Sequence, residues 1–106
     1  MTRRWSIPPT IPHAFYGEVT VNGVPAMAGA QVMGVCANVI IPAYSNPLVT
    51  IREGVYGGRG GFSPKLVVQG PIENGATITF YVNGVVATET FPFEAGAVTR
   101  LDLRVE

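Results

Sequence analysis

Charge is scarce in this chain. Asp, Glu, Lys and Arg make up 13% of its 106 residues and cancel to a net charge of zero. That is about half the charged share of an average soluble domain. The basic residues run from Arg3 to Arg104 and are matched in number by acids. There is no surplus of phosphate-neutralising charge, so nucleic-acid binding is not expected. No stretch approaches the roughly 20 consecutive apolar residues of a membrane-spanning helix, and membrane insertion is not expected either. Cys36 is the single cysteine, which excludes an internal disulfide. Flanked by Val35 and Ala37, it reads as a buried, inert thiol. His13 is the single histidine and has no Cys, Asp or Glu beside it, so a metal centre would need ligands from distant loops. Arg3-Arg4 suits the start of a secretory signal, but Pro8, Pro9, Pro12 and His13 interrupt any apolar segment after it, and no signal is expected.

Turn formers are plentiful, with 13 glycines and 9 prolines. Asn-Gly occurs at Asn22-Gly23, Asn74-Gly75 and Asn83-Gly84. The first and third share the frame Val-Asn-Gly-Val. Asn-Gly between alternating residues is the strongest short-range hairpin signal, because a type I′ turn needs positive φ at both central positions. Asn83-Gly84 joins two well-patterned strands and predicts a tight hairpin. Asn22-Gly23 runs into a link containing Pro25, and Asn74-Gly75 ends a wider turn after Pro71, so a two-residue hairpin is less firmly expected at either.

The length predicts one domain. Residues 1–13 read as a proline-containing arm, with Pro8-Pro9 imposing extended backbone, and residues 14–106 as a β-sandwich. Phe15, Gly17, Val19 and Val21 share one face of a first strand. Ala30 to Ile41 is a nearly continuous apolar run, expected as one or two strands buried on both faces. Leu48 to Glu53 and Lys65 to Gln69 are short strands. Ile78, Phe80 and Val82 alternate inward between Ala76 and Asn83, and Val85 to Phe93 returns from the hairpin. Ala97 to Val105 closes the domain, with Leu101, Leu103 and Val105 inward and Arg100, Asp102 and Arg104 outward. About seven short strands with regular turns and no helical period predict an all-β antiparallel sandwich.

Four stretches carry a resemblance: Phe15–Gly23, Leu66–Gly70, Ala76–Gly84 and Gly96–Leu103. Together they resemble small β-sandwich modules of prokaryotic surface and secreted proteins, relatives of the transthyretin-like, carboxypeptidase-regulatory and bacterial immunoglobulin-like domains. The resemblance implies an immunoglobulin-like or transthyretin-like fold and a spacer or binding role without catalytic residues. The chain departs from that pattern in being a single module with an Arg- and Trp-bearing arm. In size, fold and arm it is similar to decoration proteins of tailed-phage capsids, by analogy only.

The chemistry-bearing residues do not assemble into a catalytic set. Ser6, Ser45 and Ser63 lack an adjacent base, and no nucleophile-elbow spacing joins His13 to Asp102. Glu73, Glu89 and Glu94 fall in turns or on outward positions and read as solvated charges. Arg100, Asp102 and Arg104 form an outward strip, either a ladder of weak ion pairs or a charged contact surface. Gly57-Gly58-Arg59-Gly60-Gly61 lacks the Gly-Lys-Ser/Thr ending of a phosphate loop. It reads as a flexible connection or as a tip that orders on contact, with Tyr56, Arg59 and Phe62 as anchors. In the arm, Arg3, Arg4 and Trp5 are residue types enriched at interface hot spots. The sequence thus predicts a non-enzymatic structural module without cofactor. It is expected to attach to a protein partner or to its own copies in a symmetric assembly, foremost a virion capsid that it decorates. The alternative is an extracellular or cell-envelope adhesion module recognising carbohydrate or protein.

Overall fold

β1 (His13–Val21) runs through the middle of one sheet and organises the molecule. The computed structural model describes residues 11–43, 45–61 and 63–106, and no helix lies among them. After β1 come β2 (Val24–Pro25), β3 (Gln31–Val35), β4 (Leu48–Val49), β5 (Val55–Tyr56) and β6 (Leu66–Val68). The chain closes with β7 (Thr77–Val82), β8 (Val85–Pro92), β9 (Val98–Arg100) and β10 (Leu103–Val105). One edge of β1 is paired by β6, β5 and β2 in turn, all antiparallel. Its other edge carries β9 and β10, both parallel to it. The second sheet is antiparallel in the order β4-β3-β7-β8. The molecule is the expected all-β sandwich, with ten strands among the described residues rather than about seven and with one mixed sheet.

Period-two alternation places the core between the sheets. Phe15 and Val19 of β1, Leu66 and Val68 of β6, and Leu103 and Val105 of β10 face Val32, Ile78, Phe80 and Val82 from the other sheet, all buried. Phe15 meets Phe80 edge to face at 5.1 Å, a geometry worth about 0.5–1.5 kcal/mol beyond the area it buries. His13 completes this layer. It belongs to β1 rather than to the arm, is fully buried, and stacks on Phe15 at 4.1 Å. Its Nδ1 accepts a hydrogen bond from the Glu94 amide, so its Nε2–H is left to donate to Thr99 Oγ1 at 2.7 Å. Burial lowers its pKa, against a smaller opposing effect of the Glu94 carboxylate.

Several segments depart from their local pattern. Ala30 to Ile41 is not buried on both faces: only Gln31–Val35 is strand, with Val32 and Gly34 inward, and Ile40 is exposed. A side chain at position 34 would meet Val68 at 2.9 Å, which is why glycine lies there. Beyond Val35 the chain turns through Asn38, at φ 69°. The closing run from Ala97 to Val105 is two strands, interrupted at Leu101-Asp102. Across the interruption the Leu101 amide still donates to the Tyr16 carbonyl, and the Asp102 carboxylate accepts from the Glu18 amide at 2.9 Å. Gly17 admits this close approach, since a Cβ there would lie 2.5 Å from the Leu101 carbonyl oxygen.

The first and third Asn-Gly turns are equivalent. Asn22 and Gly23 have φ 52° and 81°, Asn83 and Gly84 have 50° and 81°, and each pair closes a two-residue loop between paired valines. At Asn74-Gly75 only the glycine has positive φ, as a wider turn requires.

Candidate binding face

The even-numbered residues of β1 point away from the core onto the outer face of the mixed sheet. Tyr16 is paired with Arg100 of β9. On its other side, one step beyond the Phe15–Leu66 pair, lies Lys65, whose ammonium sits 6.0 Å from the Tyr16 ring centroid. The result is a row of cation, aromatic ring and cation across three strands. One step away, Ala14 lies between Val67 and Val98, and its small side chain leaves a depression beside Lys65.

The glycine-rich segment is laid against this row. Gly57, at φ 65°, approaches so closely that a Cβ would meet the Pro64 carbonyl oxygen at 3.0 Å and Tyr16 Cβ at 3.2 Å. The Gly58 amide donates to the Pro64 carbonyl, and the Ser63 amide to the Gly60 carbonyl. Lys65 Nζ donates to the Gly60 carbonyl at 2.7 Å and reaches the Ser63 carbonyl at 3.4 Å. This segment is therefore a closed, hydrogen-bonded loop rather than the loose connection its composition suggests.

Two grooves flank the row, and Arg59 lines both. One, of about 230 Å³, is bordered by Tyr16, Glu18, Arg52, Arg59 and Arg100. The other, of about 610 Å³, is bordered by Ala14, Ser45, Arg59, Ser63, Lys65 and Val98 and contains no carboxylate. Arg100 is held by Asp102 at 3.2 Å and by Glu18 at 3.5 Å. Arg52 and Arg59 make no ion pair among the described residues. Of the five basic side chains described, only Arg104 stands apart. It binds Glu89 at 2.9 Å, while its amide donates to the same carboxylate. Burial alone would raise the Glu89 pKa, but these two bonds and one from the Thr88 hydroxyl outweigh it and bring the pKa down. The outward strip of Arg100, Asp102 and Arg104 is thus divided between two partners.

The residues expected to bind a partner fare differently. Arg59 is exposed at the centre of the face. Tyr56 is not a loop anchor: it is fully buried, and its hydroxyl donates to the Leu101 carbonyl at 2.6 Å. There it satisfies the acceptor freed where β9 and β10 part. Burial, with the Asp102 and Glu89 carboxylates nearby, raises its pKa far above the usual phenol range, so it stays a neutral donor. Arg3, Arg4, Trp5 and Phe62 lie outside the described residues. Tyr16, Arg52 and Lys65 were not singled out from the sequence. The alternation of β1 marks Tyr16 as outward, but its meeting with Arg100 depends on a pairing 84 residues apart.

Chemically, the face offers cations, hydroxyls and one aromatic ring, a set suited to binding. His13, the one imidazole, is remote in role, with both ring nitrogens engaged inside the core. No group of three or more Cys, His, Asp or Glu side chains that could hold a metal ion occurs among the described residues. No family model, no curated protein and no solved structure matches this chain.

Proposed function

We propose that this chain is a non-catalytic structural module that attaches to a larger assembly, foremost the surface of a virion, through the outer face of β1. One observation carries the reading. In a chain of zero net charge, four of the five described basic side chains gather around one aromatic ring, and two of them make no ion pair among the described residues. Desolvating an arginine without a partner is costly, whereas a carboxylate or similar anion brought by a partner forms a charge-assisted, two-pronged contact. Binding surfaces also tend to lie on loops that a rigid scaffold holds in place, which is how the sheet presents the glycine loop. A cell envelope is the second setting, favoured by Tyr16, a half-exposed ring between cations of the kind that suits carbohydrate.

Density-gradient fractionation tests the proposal. The tagged chain, expressed in the organism that carries it, is expected to co-migrate with virions or, in the second reading, with envelope. Arg52→Glu/Arg59→Glu is expected to shift it to the low-mass fractions. Wild-type chain found only in the low-mass fractions overturns the proposal.

A further inference from the structure

We infer that the face binds an acidic polysaccharide, with its anionic groups held by Arg52, Arg59 and Lys65 and a sugar ring laid on Tyr16. The inference rests on the reading that this face is a binding surface and names the chemistry it takes. The charge pattern selects an anion. The smaller groove is bordered by three arginines against the single carboxylate Glu18, which is already engaged by Arg100. The larger groove has Arg59 and Lys65 and no acid. Lys65 spends two donors on the loop carbonyls and, among the described residues, has a third left for a ligand.

The backbone argues against an acidic peptide as the occupant. An extended peptide gains affinity by adding to an open sheet edge, and β1, the strand that carries Tyr16, offers none. Both edges of β1 are paired along its length. The backbone next to it is occupied too, the Val67 amide by the Ser45 carbonyl and the Gly58 amide by the Pro64 carbonyl. The groove walls present a ring, guanidinium and ammonium groups, and the Ser45 and Ser63 residues. A sugar uses all of these together, its apolar ring face on Tyr16, its acid on the arginines and its hydroxyls on the serines. Arg59 lines both grooves, so a chain of several sugars that occupies the two of them passes it.

The test measures binding of the full chain to polygalacturonate and chondroitin sulfate, with neutral dextran and poly-L-glutamate as controls. Both acidic polysaccharides are expected to bind, more weakly as salt is raised, with dextran silent and poly-L-glutamate at least tenfold weaker. Arg52→Glu/Arg59→Glu is expected to weaken binding by about tenfold or more. Tyr16→Ala is expected to weaken it likewise, while Tyr16→Phe, which keeps the ring, retains it. Thermal unfolding of each variant verifies the fold. Equal or tighter binding of poly-L-glutamate, no binding of either polysaccharide, or indifference to the charge reversal overturns the inference. Co-migration with particles that depends on Arg52 and Arg59, without polysaccharide binding, sinks the inference and leaves the proposed function standing. Polysaccharide binding without co-migration does the reverse.

Discussion

Alternate residues of β1 lead to opposite ends of the molecule's chemistry. On the inner side His13, Phe15 and Val19 are fully buried, and each nitrogen of the one polar ring has its hydrogen bond. On the outer side Ala14, Tyr16 and Glu18 border grooves in which two arginines have no ion pair among the described residues. The difference separates what the fold needs from what it leaves over. The buried polar ring is satisfied within the chain, whereas Arg52 and Arg59, exposed and without an ion pair among the described residues, are the groups on which the proposed contact rests.

Substitutions on the two sides are expected to break this comparison in different measures. Phe15→Ala should cost about 3–5 kcal/mol by urea denaturation, through the cavity it opens, whereas Tyr16→Ala should cost roughly 1 kcal/mol, as a half-exposed position does. A comparable loss at both would mean that Tyr16 is a structural residue. Tyr56→Phe should cost about 1–3 kcal/mol, because the Leu101 carbonyl loses its donor inside the protein. An unchanged unfolding midpoint would show that water replaces the hydroxyl.

His13 sharpens the comparison through pH. Its folded pKa lies below the ordinary 6.5, so the unfolded chain takes up a proton first as pH falls. Stability should therefore be full above that value and decline below it, by at most about 1.4 kcal/mol per pH unit, until the folded imidazole itself protonates. Glu89, whose folded pKa is lowered from 4.5, adds a separate decline in the carboxylate range. Denaturation at a series of pH values, repeated with His13→Gln, should show the upper decline vanish and the lower one persist. The smallest effect is expected at the binding face itself: Arg52→Glu/Arg59→Glu should change stability by no more than about 0.5 kcal/mol. A larger loss would reveal a structural role for those arginines.

The fold was legible in the sequence because its signals are local. Alternation from Phe15 to Val21 and from Ile78 to Val82, with Asn-Gly at the hairpins, needs only neighbouring residues. The face was not, because it is assembled by pairings between distant strands. Nothing near Tyr16 in sequence announces Arg100 or Lys65, and the parallel match of β1 with β9 has no local signature. Tyr56 misled for the opposite reason. Among five glycines within eight residues it read as part of a loop tip, yet a two-residue strand, β5, turns it into the core. His13, surrounded by prolines, had too little pattern on its N-terminal side to be read as inward.

The central claim is that the outer face of β1 is where this protein makes contact. Hydrogen–deuterium exchange on the chain alone and within its isolated assembly tests it directly. Bound chain should gain protection across 57–61 and around Lys65, with the turns at Asn22-Gly23 and Asn83-Gly84 unchanged. Protection confined to those two turns, with the glycine loop exchanging as in the isolated chain, would contradict it.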